Sequence, residues 1–319
     1  MAGEFDLIAK YFAPLAGPEG LGLTDDAACL SPQPGKSLIV TKDVIVGGVH
    51  FFDNDTPGSI AHKALAVNLS DLAAKGAIPK CYFLGLCLPR DIDEIWLSSF
   101  ASGLKKMQEE YGITLAGGDT TSSPGPVMVS VTAMGDVPVG QMLRRNGAGA
   151  GDLVFVSGTL GDAALGLKCL LGELDPDDGL ARRYHYPTPR TTLGPALVGL
   201  ASASADISDG LLADLGHICE TSRLGADIEE AKLPVSSRVR ELVGENPDLA
   251  GLVYTGGDDY ELVFTAPEEK RREIDAVAGK TGVRVTVVGR ISDTAGIRLV
   301  DQNGELVQSA RTGYQHFET

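Results

Sequence analysis

The stretch Thr56–Pro79, TPGSIAHKALAVNLSDLAAKGAIP, limits the fold more than any other part of the chain. Thr56 followed by Pro57 is a helix start, a capping hydroxyl with proline at the first helical position. Gly76 and Pro79 make the stop. Between these signals Ala, Leu, Val and Ile fall on every side, which predicts a helix buried all round rather than an amphipathic surface element. Asn68 and Asp71 interrupt it, three residues apart and therefore on one side. An unpaired carboxylate in that position is costly, so Asp71 requires a cation or strong donors. A salt bridge to Lys75 on the next turn is the plainer solution, and a metal ion is the other.

The same difficulty recurs along the chain. Aspartates stand beside glycine or at the ends of apolar strands at Asp25-Asp26, Asp43, Asp119 in GGDT, Asp206 and Asp209 in DISDG, and Asp258-Asp259 in GGDDYE. Each alone is satisfied by ordinary turn chemistry. As a set flanking hydrophobic segments they point to Mg²⁺, which takes one or two carboxylates, waters and phosphate oxygens. So many aspartates imply several ions gathered in one pocket, and hence a polyphosphate.

The 319 residues, 43% hydrophobic and 22% charged, have the composition of a soluble globular protein of two domains. A net charge of −16 argues against nucleic acid and anionic membranes as partners. It does not exclude anionic substrates held through metal. MAGEFDLIAKYFAPL has no signal-peptide pattern and no apolar run reaches spanning length, so a cytoplasmic protein is expected. Cys29, Cys81, Cys87, Cys169 and Cys219 form no CxxC pair, which favours reduced thiols over disulfides or zinc.

Periodicity predicts a short amphipathic helix over 4–15, a strand over 22–30 and a β-rich segment over 37–52 broken at Gly47-Gly48. A strand over 80–88 puts Cys81 and Cys87 on one face, and a helix over 91–111 carries the stripe Ile95, Phe100, Leu104 and Met107. Strands over 113–121 and 127–137 follow. The glycine- and arginine-rich stretch 138–152 marks a boundary, giving domains 1–138 and 152–319 with a linker 139–151. The second half reads as strand DLVFVSG, turn TLGD, helix 163–171, a loop YHYPTPRTTLG, and a helix near 193–203. An aspartate-rich strand end opening a helix (205–222), an interrupted strand (252–266), a helix (267–281), strand VRVTVVGRI and a hairpin at Asn303-Gly304 complete it. The fold class is α/β (α+β), with two mixed-sheet domains.

No P-loop, protein-kinase lysine or HRD sequence, strand-linked GxGxxG or GxSxG occurs, and no Cys/His pairing suggests covalent catalysis. A bound nucleotide would be held mainly through metal. The pieces GEFDLIAKYF, GLTDDAA, TKDVIVGGVHF, KALAVNLSDLAAKGAIP, LAGGDTT, DISDGLLADLGHI, GGDDYEL and GYQHF, in this order across nearly the whole chain, resemble the thiamine-monophosphate kinase family. That family lies in the aminoimidazole ribonucleotide synthetase-like superfamily.

The resemblance implies an N-terminal domain that binds ATP and Mg²⁺ and dimerises through its sheet. A C-terminal α/β domain would complete the active site of a homodimer. The implied reaction transfers the ATP γ-phosphoryl group to thiamine monophosphate, the last step of thiamine diphosphate synthesis. Motif by motif, Asp26, Thr41, Asp43, Asp71, Asp119, Asp206 and Asp209 fall on Mg²⁺ positions. Tyr111, Gly118, Asp119, Arg145 and Ser208 fall on nucleotide-contacting positions, and His50, Asp258 and Tyr314 on positions facing the thiamine phosphate. Asp43, Asp71, Asp119 and Arg145 form the implied catalytic set. Two departures stand out: Lys42 where the family usually has Thr, and Asp258 where it usually has Glu.

The chemistry requires no catalytic base, because a phosphate acceptor with a second pKa of about 6 is already mostly ionised. The obstacle is repulsion, about 4 kcal/mol for each unit charge pair at about 4 Å and an effective dielectric of about 20. Several Mg²⁺ ions and Arg145 would offset it for direct in-line transfer without a phosphoenzyme, with His50 as an orienting donor. Plainer readings stand beside these: Arg144-Arg145 as a solvated linker pair, His50 as a strand-end histidine, Tyr111 as the residue closing a helix before Gly112, Tyr314 as packing for the C-terminal tail. SGTLGDA (157–163) is an ordinary strand-to-helix turn or a phosphate cradle. The alternatives for the whole protein are an ATP-dependent superfamily enzyme with another acceptor, and a noncatalytic thiamine-phosphate or nucleotide sensor.

Overall fold

Thr56 caps the long apolar helix as its sequence requires: Thr56 Oγ1 accepts a hydrogen bond from the Ser59 N–H at 3.2 Å, and Pro57 is the first helical residue. Gly76, with φ of 71°, turns the chain out at the other end. The computed structural model describes residues 4–301, 305–307 and 313, divided between two units. One is built from residues 1–72 and 77–140, the other from 73–76 and 141–319.

In the first unit α1 (Glu4–Leu7) passes into a π-helical stretch (Ile8–Phe12) and a 3₁₀ turn (Ala13–Leu15). The expected single helix over 4–15 is thus three short geometries, because Pro14 has no N–H with which to continue an α-helix. The expected strand over 22–30 does not form. Leu21, Gly22 and Leu23 take left-handed φ values of 50°, 70° and 56°, which turn the chain away from extended pairing.

Next come β1 (Lys36–Val46), α2 (Pro57–Ala74), β2 (Ile78–Leu88), α3 (Glu94–Tyr111), β3 (Thr114–Ser122) and β4 (Met128–Pro138). The sheet order is β1-β4-β2-β3, with β2 and β3 parallel and the other neighbours antiparallel. Along β1 the buried Ile39 and Ile45 alternate with Leu38, Val40 and Val44, which stay 39%, 54% and 40% exposed. This edge strand therefore has one covered face and one open apolar face.

Asp93 caps α3 by accepting from the Trp96 N–H at 2.7 Å, and Gly112 (φ 65°) ends it. Its buried stripe is Leu97, Phe100, Leu104 and Met107. Ile95, expected in that stripe, is 79% exposed. Five residues of helix rotate about 140° past a full turn, so Ile95 cannot share a face with Phe100.

The second unit runs β5 (Leu153–Ser157), α4 (Asp162–Leu170), α5 (Asp178–His185), α6 (Leu193–Ala196), β6 (Ala203–Ile207), α7 (Leu211–Ser222) and β7 (Gly225–Glu229). It continues with α8 (Ser237–Glu245), α9 (Gly251–Thr255), β8 (Glu261–Ala266), α10 (Arg271–Thr281), β9 (Val285–Ser292) and β10 (Gly296–Val300). The sheet order is β10-β7-β9-β5-β8-β6, parallel at β10/β7 and antiparallel elsewhere. Every residue of β5, β6 and β8 is buried. Val154, Val156 and Val263 enter one hydrophobic cluster, and Leu153, Phe155, Leu262 and Phe264 enter another, so the central strands are covered on both faces.

Two expectations fail in this unit. Residues 252–266 are not one strand, since α9 ends at Thr255 and β8 begins only at Glu261. The helix near 193–203 has four residues, and Gly199 at φ 81° turns the chain towards β6. The hairpin at Asn303-Gly304 lies outside the described residues.

One glycine fixes the packing of α3 on α2. A Cβ on Gly103 would lie 2.8 Å from the Gly58 carbonyl oxygen and 2.9 Å from Ala61 Cβ. Helix propensity alone favours Ala over Gly by about 1 kcal/mol, but overpacking at a backbone contact costs about 1–3 kcal/mol. Gly103→Ala is therefore expected to lower the unfolding free energy, by about 1 kcal/mol net, in urea denaturation. A rise in stability would show that the two helices part easily.

Candidate active site

Asp71 on the buried helix α2 accepts a hydrogen bond from Thr41 Oγ1 of β1. Asn68, one turn earlier, is fully buried and donates from Nδ2 to the Ala64 carbonyl at 3.0 Å. Lys75 Nζ donates to the Ser204 carbonyl at 3.0 Å. Asp43, two residues beyond Thr41, points to the same face of β1. Burial and the charge of Asp71 push its carboxyl up to about 6, against a smaller opposing pull from Lys42.

Two carboxylates that destabilise each other in a half-dry place, with a hydroxyl beside them, make a donor set suited to Mg²⁺, whose charge would relieve the repulsion. Among the described residues no three His, Cys, Asp or Glu side chains meet as a ready-made metal cluster. An ion here would complete its shell with waters and phosphate oxygens.

Lys42 lies on the other face of β1, where its Nζ donates to Ser130 Oγ at 2.5 Å. That face opens into a cavity of about 590 Å³ whose lining includes Asp25, Asp26, Lys42, Gly118, Asp119 and Ser130. Asp119 sits opposite Gly85 where β3 pairs with β2. A Cβ on Gly118 would overlap the Leu84 carbonyl, so only glycine fits there. The structure thus gathers Asp26, Gly118 and Asp119 at one cavity, and Thr41, Asp43 and Asp71 at a second place in the same unit.

Tyr111 is the last residue of α3. His50 Nδ1 accepts from the Val46 N–H at 3.1 Å, and the His50 carbonyl accepts from the buried Lys63 Nζ at 2.9 Å.

In the second unit Asp206 is buried in β6. Ser208 and Asp209 follow, and both of their N–H groups donate to Asp214 Oδ2 at 3.0 Å. Burial pushes the Asp214 carboxyl up to about 7, although those two N–H groups pull the other way. Arg145 is exposed, and its charge also favours the ionised form of Asp214.

The glycine-acid loop comes back to this point. Asp258 N–H donates to the Ser208 carbonyl at 2.9 Å and Tyr260 N–H to the Ile207 carbonyl at 2.8 Å. Asp259, 1% exposed, turns inward and accepts from the Gly161 N–H at 2.8 Å and the Ala163 N–H at 3.4 Å. SGTLGDA is accordingly a strand-to-helix turn in which two N–H groups are engaged by a carboxylate of the same unit. Beside it the wholly buried Glu261 is held by both Arg190 and Arg183 and accepts from Ser157 Oγ at 2.6 Å. Tyr314 lies outside the described residues.

Asp214, Glu261, Arg183 and Arg190 escape a reading of the sequence. Their signal is faint: two acids inside recognised motifs, Asp214 in DISDGLLADLGHI and Glu261 in GGDDYEL, and two arginines flanking YHYPTP.

Residues 24–137 match the family model for the N-terminal domain of AIR synthase related proteins, and residues 149–302 match the model for the C-terminal domain. The class is therefore the two-domain AIR synthase related proteins. Thiamine-monophosphate kinase of Escherichia coli K12 is 42% identical over 99% of both chains. The crystal structure of thiamine-monophosphate kinase from Stenotrophomonas maltophilia K279a is also 42% identical, with a TM-score of 0.86 over 96% of this chain and 98% of that one. AaThiL complexed with AMPPCP and TMP is 32% identical, with a TM-score of 0.79 over 99% of this chain and 97% of the other. The chain belongs to the thiamine-monophosphate kinase family.

Asp259 gives this site a pH signature. Burial pushes its carboxyl from 3.8 up to about 8, against the two N–H bonds and Arg183. The folded protein then keeps a proton that the unfolded chain releases, so stability falls as pH rises from about 4 and levels off above about 8. Urea denaturation across that window is expected to show a steeper fall for the unaltered protein than for Asp259→Asn. Parallel curves would mean that Asp259 is ionised when folded.

Proposed function

We propose that the protein is an ATP-dependent kinase that phosphorylates thiamine monophosphate to thiamine diphosphate, the last step in making that cofactor. The likeness to thiamine-monophosphate kinases over nearly the full length of both chains carries this reading. The acidic residues of the two units support it chemically. Asp26, Thr41, Asp43, Asp71, Asp119, Asp206 and Asp209 are the residues that would hold Mg²⁺. When bound, those ions would neutralise phosphate charge and align donor with acceptor.

The chain's own groups do the rest. Gly118, in the lining of the cavity, Tyr111 and Ser208 are the further nucleotide contacts in this reading. Arg145, which is exposed, would place a fixed positive charge on the phosphates. His50, Asp258 and Tyr314 are the residues that the family resemblance assigns to the acceptor. His50 Nδ1 already accepts a backbone N–H, so its other nitrogen is the donor that orients a phosphate oxygen. No general base is needed, because the attacking phosphate oxygen is already ionised. Transfer is direct and in line.

The open apolar face of β1, with Val40 54% exposed at the edge of its sheet, supports a homodimer formed through that sheet. Among the described residues no helix is long and apolar enough to cross a membrane, and all five cysteines are unpaired thiols. A cytoplasmic location accords with both.

The test is to mix the purified protein with ATP, Mg²⁺ and thiamine monophosphate and follow thiamine diphosphate by chromatography. ATP turnover with a different acceptor only would overturn the assignment, and binding without turnover would favour a sensor. Asp71→Asn is expected to lower turnover by about two orders of magnitude, as when one stabiliser of transition-state charge is removed. The variant should remain folded, yet its thermal stability should no longer rise with Mg²⁺ plus nucleotide. Full activity in that variant would count against the metal assignment.

A further inference from the structure

The loop Gly256–Tyr260 holds two non-glycine residues in the left-handed region, Asp258 at φ 69° and Tyr260 at φ 49°. Aspartate tolerates this conformation; for tyrosine it is rare and unfavourable. Strain of this kind persists only where the surroundings impose it, and such places are often functional.

Here the surroundings are explicit. On both sides of Asp259 the backbone is tied to the preceding strand end, through Asp258 N–H to the Ser208 carbonyl and Tyr260 N–H to the Ile207 carbonyl. Asp259 itself is driven inward to the Gly161 and Ala163 N–H groups, and Arg183 Nη2 reaches its carbonyl at 3.5 Å. Because Asp259 points into the core, the side chains at 258 and 260 both emerge on the outer side and meet there. Tyr260 Oη donates to Asp258 Oδ1 at 3.1 Å. Both residues remain partly exposed, so the pair faces outward rather than into the core.

We propose that Tyr260 is a positioning residue for the acceptor: its hydroxyl fixes the rotamer of the Asp258 carboxylate that meets thiamine monophosphate, on a loop fastened from beneath by Asp259. The inference rests on the reading of Asp258 as an acceptor-facing residue. It also assigns that carboxylate a partner. An anion beside a phosphate would be repelled, whereas thiamine carries a cationic thiazolium ring and an aminopyrimidine amine, both of which attract it. With Oδ1 engaged by the phenol, the carboxylate is held in one orientation, in which its negative charge attracts that cationic end. Aspartate reaches less far than glutamate, which makes a fixed rotamer more valuable.

The experiment is a double-mutant cycle in steady-state kinetics on the full chain: the unaltered protein, Tyr260→Phe, Asp258→Ala and the double variant. Tyr260→Phe keeps the ring and removes only the hydroxyl. It is expected to raise KM for thiamine monophosphate about tenfold, the low end of the scale of one hydrogen bond to a charged group, with KM for ATP and kcat little changed. Asp258→Ala should raise the same constant further, and adding Tyr260→Phe to it should do nothing more. An effect of Asp258→Ala on acceptor KM together with a silent Tyr260→Phe, or with additive effects in the double variant, would overturn the inference alone. A silent Asp258→Ala would overturn the acceptor-facing reading and the inference with it. A fall in kcat or a rise in ATP KM equal to the change in acceptor KM would show a purely structural role for Tyr260 and overturn it as well.

Discussion

Glu261 has no contact with water, and a carboxylate so placed would unfold its surroundings unless donors surrounded it. Arg183, Arg190 and Ser157 supply those donors from three separate segments, and Ser157 Oγ in turn accepts the Leu262 N–H at 2.8 Å. Asp259, two residues earlier, repeats the arrangement with backbone N–H groups at the start of α4. Together they fix where β8 begins and hence where the glycine-acid loop lies. That loop is also bonded to the strand end carrying Ser208, so candidate nucleotide and acceptor residues share one rigid support. Glycine makes the support possible: side chains at Gly158 and Gly257 would overlap the Glu261 carboxylate and the Ser208 carbonyl.

The first unit solves a similar problem differently. Its carboxylates are not saturated by arginine. Asp71 has the Thr41 hydroxyl and Asp43 has the distant help of Lys42, and both remain partly exposed. An arginine pair would neutralise such groups permanently and leave nothing for a metal to bind. Short of such partners, Asp43 is pushed up by its burial and by the charge of Asp71, at a cost in stability; under the proposed function that shortage leaves room for Mg²⁺. The contrast between the saturated Glu261 and the under-supplied Asp43 separates acids that hold the fold from acids available to a ligand.

Lys42 stands where the resemblance leads one to expect threonine. Its neighbours Thr41 and Asp43 face α2, while strand alternation sends Lys42 to the opposite face, onto Ser130 and into the cavity with Asp26 and Asp119. Lys42 therefore does not disturb the Thr41-Asp71 contact.

Elements whose signals are local can be read from the chain alone. The α2 cap at Thr56, the α3 stop at Gly112 and the alternation of β1 and β4 depend on residues within a few positions of one another, so they are legible without a fold. Ordered motifs likewise disclosed the family and most candidate site residues. The sequence misled where local pattern and tertiary demand diverge. Residues 22–30 look extended but are turned by left-handed residues, and 252–255 looks like strand but is helical. β5, β6 and β8 have no alternation to read because both faces are buried. Which of Asp258 and Asp259 faces outward, and which arginines meet Glu261, is set only once the chain has folded. Those choices depend on partners some 70 to 105 residues away along the chain, whose distance in space no local pattern records.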